Sequence, residues 1–115
     1  MAEGNIIASR ALQLPDGTSL KLNLFQPQPS AGGDDWICHW ELRGDADGRV
    51  FLQHAAHGID AVQALELAMV MVGGELPKLQ GLTWFGSSWL GFQTADETLL
   101  LGQYRRRRDG RAQPT

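Results

Sequence analysis

Between Asp60 and Pro77 the chain reads DAVQALELAMVMVGGELP, and from Ala61 to Val72 only Gln63 and Glu66 are polar. Asp60 suits a helix N-cap, and Gln63 stands where the reciprocal partner of a capping box belongs. The pattern predicts one main helix over about 60–76. Val62, Leu65, Met69 and Val72 form one apolar stripe at helical spacing, and Ala61, Ala64, Ala68 and Met71 form a second beside it. A helix this apolar has to be covered on more than one side, and one sheet face covers one stripe. The second stripe requires either the C-terminal part of the chain or a partner. Gly73-Gly74 predicts a frayed or bent end, and Pro77 stops the helix soon after.

The half preceding this helix alternates with the period of a strand. Ile6, Ala8, Leu12 and Leu14 share a parity up to Pro15-Asp16-Gly17, a turn in which proline presets φ and glycine accepts a left-handed backbone. In TSLKLNLF, Leu20, Leu22 and Leu24 face one way and Lys21 and Asn23 the other. A loop over 27–35 leads to WICHWELR, with Trp36, Cys38, Trp40 and Leu42 inward and His39, Glu41 and Arg43 outward. A second turn, 44–48, precedes a return strand with Val50 and Leu52 inward. The fold class is α+β: a four-stranded antiparallel β-meander, one helix packed on its apolar face, then a short aromatic β-hairpin at about 82–93 centred on Gly86-Ser87-Ser88 and closing the other side.

With 115 residues, 43 % of them apolar and 20 % charged, the chain suits one soluble domain with its own core, placed at 1–104. Thr98 to Tyr104 reads as helix or edge strand. The 105–115 tail holds five of the ten basic residues and is expected to be disordered, whereas twelve of the thirteen acidic residues precede it. An acidic body favours a basic protein partner and disfavours nucleic acid. The arginine run has no interleaved aromatics on which bases would stack. No run is long enough to span a membrane, no secretory leader is recognisable, and the single cysteine suits a reducing cytoplasm.

No catalytic constellation emerges. His54 and His57 are the most metal-like positions, with Asp60 at the same spacing of three and Cys38 and His39 on a neighbouring expected strand. On a strand 54 and 57 face opposite sides, and Asp60 is needed as a cap, so neither a metal nor another cofactor is expected. Cys38 lies between two inward tryptophans, where burial silences a thiol. GSSWLG lacks the glycine two residues after its second serine that a nucleophile elbow requires, and no phosphate-binding glycine motif occurs. The carboxylate pairs Asp34-Asp35 and Asp45/Asp47 sit in turns, where acidic residues are ordinary. Trp84, Phe85, Trp89 and Phe92, four aromatics within nine residues, are the candidates for partner binding, or else for covering the helix. Asp60, Gln63, Leu65 and Met69 are the structural residues of that helix.

The run from Gly58 through Asp60, Gln63, Ala64 and Leu65, followed by Trp84 and Leu90-Gly91-Phe92, resembles the DUF6968 group of small bacterial proteins. The resemblance spans residues 57 to 92. It implies an α+β fold and an immunity-like, protein-binding role, and it brings no catalytic residue with it. Two functional classes follow as expectations. One is a non-enzymatic protein-binding module using an acidic sheet or the aromatic hairpin. The other is a small-molecule binder or homo-oligomer built on the apolar helix surface. The chain is expected as a monomer or homodimer.

Overall fold

In the computed structural model of the chain, residues 4–92 are described. Strands β1 (Ile6–Gln13), β2 (Ser19–Phe25), β3 (Gln28–Pro29), β4 (Trp36–Gly44) and β5 (Val50–Gly58) form one antiparallel sheet, followed by helix α1 (Ala61–Glu75) and a 3-10 turn, Leu76–Lys78. The main strands run β1, β2, β4, β5 across the sheet, as a meander requires. The short β3 resumes the β2 side of β4. Between Leu24 opposite Trp40 and Gln28 opposite Ile37, three residues on one side match two on the other. At the first hairpin Gly17 has φ 89° and the Asp16 carboxylate accepts from the Thr18 amide at 2.9 Å, which is local turn chemistry written in Pro15-Asp16-Gly17.

The sheet's apolar face carries Leu12, Leu20, Leu22, Leu24, Cys38, Trp40, Leu42 and Ala56, all buried. Val50 departs from the expected inward position and is exposed. A register shift between Leu42 and Arg43 sets it out of phase with Leu52.

Helix α1 starts as its cap residues dictate. The Asp60 carboxylate accepts from the Gln63 amide at 2.8 Å, and the Gln63 side chain accepts from the amide of Ile59, one residue before the cap, at 2.8 Å. The buried stripe is Ala64, Ala68, Val72 and Leu76. This corrects the expectation for the larger residues. Val62 is 65 % and Met69 42 % exposed, and Leu65 packs only at the core's margin. The reason is proximity. Only Ile59 and Asp60 link β5 to α1, and a Cβ at Gly58 would run into the Ala64 amide, so small residues must face the sheet. The helix also runs regularly through Gly73-Gly74, without the expected fraying, and ends before Pro77, the second residue of the 3-10 turn.

The aromatic segment lies on the same sheet face, beside the helix. Leu82, Leu90 and Phe92 join the core, and Gly73 and Leu76 of the helix end share a hollow with Leu90 and Phe92. Val62 and Met69 on one row of the helix, and Leu67 on another, stay exposed. The segment Thr98–Tyr104, the 105–115 tail and the hairpin's expected last residue, 93, lie outside the described residues.

Candidate functional site

The expected hairpin reduces to one tight turn, centred a residue or two earlier than its glycine-serine composition suggested. Trp84 and Ser87 exchange both backbone hydrogen bonds, at 2.9 and 3.0 Å, so Phe85 and Gly86 are the two central residues. Their φ angles are 52° and 76°, the positive pair of a type I′ turn, where Asn-Gly is the usual choice. Phe85 is the one non-glycine residue with positive φ among those described, and the residue is 92 % exposed. A left-handed backbone costs an L-residue about 1–2 kcal/mol, and this phenylalanine recovers none of that by burial. Beside it the Trp84 ring lies 5.3 Å from Phe85 and 5.8 Å from Trp89, both tilted, and Trp89 is itself 62 % exposed. Of the four aromatics, Phe85 and Trp89 stand in solvent, Trp84 is half-buried and Phe92 is buried.

Arg10 holds this ridge against the sheet. Its guanidinium sits 4.1 Å from the Trp84 ring centre and 4.5 Å from that of Phe92, and donates to the Leu90 carbonyl at 3.0 Å. Gly91, with φ 83°, leaves room for this arrangement: a side chain there would strike both Arg10 and Trp84. Arg10 was not singled out in the sequence, although its signal was present, a charge at an inward position of an alternating strand. The edge of β1, with Thr83, Trp84 and Phe85, borders an open cleft of about 530 Å³.

The opposite face of the sheet holds a polar chain whose middle members, Asn23 and Glu41, are buried. Ser9 donates to Asn23 at 2.7 Å, and Asn23 donates to Glu41 at 2.9 Å. Arg43 grips both Glu41 oxygens, at 2.9 and 3.0 Å, and reaches the Gly48 carbonyl at 2.7 Å. Asn23 and Glu41 are buried rather than solvated as the alternation suggested. The hydrogen bonds from Arg43, helped by Asn23 and by Arg43's charge, hold the Glu41 carboxyl below its ordinary value against the opposing effect of burial. A depressed carboxylate stabilises the fold above its unfolded value, about 4.3, and that stabilisation is lost as pH falls through the lower folded value. Glu41→Gln should therefore cost about 2 kcal/mol at pH 7. The gap between variant and wild type should narrow as pH falls from 7 to 3, measured by melting at both pH values. An equal gap at both would exclude an ionised Glu41 as the source.

The remaining chemistry is dispersed. His54 is on the helix side, its ring 5.2 Å from Trp40. His57 lies on the opposite face, where its Nδ1 is 3.0 Å from an Asp35 oxygen. Hydrogen bonds from Ser30 and then His57 hold the Asp35 carboxyl below its usual value. Among the described residues no three His, Cys, Asp or Glu side chains converge as metal ligands. Cys38 is buried with Sγ 3.4 Å from the Phe25 carbonyl, and burial pushes its thiol upward. The hollow between Met69, Phe92 and β1–β2 measures about 140 Å³ and that at the helix end about 100 Å³. Both are below the ~300 Å³ at which small-molecule sites begin. No helix among the described residues is long and apolar enough to cross a membrane.

No curated protein and no solved structure matches the chain. One family model does, over residues 8–94, a span that takes in the sheet, the capped helix and the Arg10 clamp on the aromatic ridge. By that match the chain belongs to the family described as a domain of unknown function (DUF6968).

Proposed function

We propose that this domain is a non-enzymatic protein-binding module that docks its partner on the aromatic ridge, with Phe85 as the central anchor. One observation carries the proposal: the chain holds a large apolar side chain on a strained, left-handed backbone and points it into water. Neither the strain nor the exposure helps the folded monomer, so both are accounted for by an occupant that buries the ring. The partner class is a basic protein. Of the charged residues in the described body, Asp and Glu outnumber Lys and Arg, and Asp16, Asp45 and Asp47 gather at the turn end of the sheet. An immunity-like role in the bacterial cytoplasm, neutralising a basic toxin, agrees with this surface and with the resemblance noted above.

Phe85→Asn separates a binding residue from a structural one. Asparagine tolerates the left-handed backbone, so relief of about 1 kcal/mol of strain outweighs the loss of one ring contact worth about 0.5 kcal/mol. The variant should melt at the same temperature as wild type or a few degrees higher. It should also lose proteins that the wild-type chain retains from a lysate of its own bacterium. A lower melting temperature with undiminished retention would make Phe85 structural and remove the proposal's support.

A further inference from the structure

We infer that the outer edge of β1 receives an extended, basic segment of the partner as an added strand, alongside the aromatic ridge; this rests on the reading of that ridge as a protein-binding surface. The backbone parity of β1 is set at both ends. The Leu14 amide bonds inward to the Thr18 carbonyl of the β1–β2 turn, whereas the amide and carbonyl of Gln13 both bond outward, to Thr83, at 2.9 and 2.8 Å. Alternation then turns the amides and carbonyls of Ala11 and Ser9 outward as well. Among the described residues nothing pairs with them. An incoming strand has thus already begun on this edge at Thr83, but the chain turns aside at Trp84.

Sheet edges are ordinarily guarded by lysine, proline or a covering element. The edge at Ser9 and Ala11 has small neutral side chains, and the charge between them, Arg10, is committed to the ridge. The cleft beside it is bounded by strand edge on one side and by Trp84 and Phe85 on the other. That is the arrangement in which backbone bonds supply affinity and an aromatic wall selects side chains. Charge favours a basic occupant. The cleft's own charged lining residue is Arg10, held on the ridge, and through Ser19 the cleft adjoins a second one of about 600 Å³ that carries Asp47 and Asp45, the latter 3.8 Å from Lys21. A second copy of this chain would bring its own acidic turns to the same place.

The test uses the full chain and a capped seven-residue peptide alternating lysine and valine, followed by amide hydrogen exchange and tryptophan fluorescence. In dilute protein alone, Ser9 and Ala11 should exchange about tenfold or more faster than Arg10 and Leu12, whose amides face β2. Peptide should slow Ser9 and Ala11 by about tenfold or more, and a serine-for-lysine version of the peptide should bind more weakly. Ala11→Pro removes only the outward donor and should abolish the slowing. Ala11→Lys, which keeps the amide, should weaken it. Protection of Ser9 and Ala11 at every dilution would mean that this chain fills its own edge. Protection that rises with protein concentration alone would assign the edge to a second copy. Either result overturns the inference, as does the absence of any slowing at millimolar peptide. If lysate partners are lost with Phe85→Asn but kept with Ala11→Pro, strand addition fails and the ridge reading stands. If both variants keep them, both fail.

Discussion

Trp40→Ala should remove about 4 kcal/mol of stability, the largest effect of any single truncation in this domain. Trp40 is fully buried in the central strand β4, between β2 and β5 and beneath the helix. Its Nε1 donates to the Met71 sulfur at 3.3 Å, and the His54 ring covers part of its face. Alanine would leave a void that the alanine stripe of α1 is too short to refill. Domains of this size hold about 5–15 kcal/mol in all, so the variant should populate unfolded chain at mild urea concentrations. Trp40→Phe should recover much of that loss, because it keeps a ring and gives up only the indole's outer volume and its contact with Met71. A urea-derived unfolding free energy for Trp40→Ala within about 1 kcal/mol of wild type would refute this placement of the core.

Gly58→Ala should cost about 3 kcal/mol, at the upper end of what overpacking usually does. The added methyl would meet the backbone of Gln63 and Ala64, not a flexible side-chain end. Relief therefore requires the first turn of α1 to move off the sheet, together with the Asp60 cap. Gly74→Ala supplies the contrast. That glycine is in the same helix with nothing within 4 Å of a built Cβ, so alanine there should stabilise by about 0.5–1 kcal/mol. Melting curves of the two variants should move in opposite directions. Movement in the same direction would show that α1 does not approach β5 through Gly58.

What the sequence disclosed was whatever local chemistry decides. The Pro15-Asp16-Gly17 turn, the alternating leucines of β2 and the Asp60–Gln63 helix start were legible because each depends on residues within a few positions of one another. The facing of α1 was not. Its two stripes have the same period, and the choice between large and small residues is made by the close approach at Gly58, which no periodicity encodes. Glu41 and Asn23 read as wet-face residues, and only the pairing of three strands shows that they enclose one another. Phe85 stood among the expected binding aromatics. Its strain became visible only when the turn proved to be centred on Phe85-Gly86 and not on the following serines.

The Arg10 clamp also bears on when the domain can form during synthesis. The guanidinium and the Leu90 carbonyl are 80 residues apart in the chain. Strand β1, made before the rest of this sheet, therefore waits for residues 90–92, beyond the helix in sequence, before its inward charge is satisfied. Closing so long a loop is entropically slow compared with local turns. The nascent β1–β2 hairpin must persist with an uncovered apolar face until residues 82–92 emerge, which makes the interval before that moment the one in which a chaperone or premature association would act.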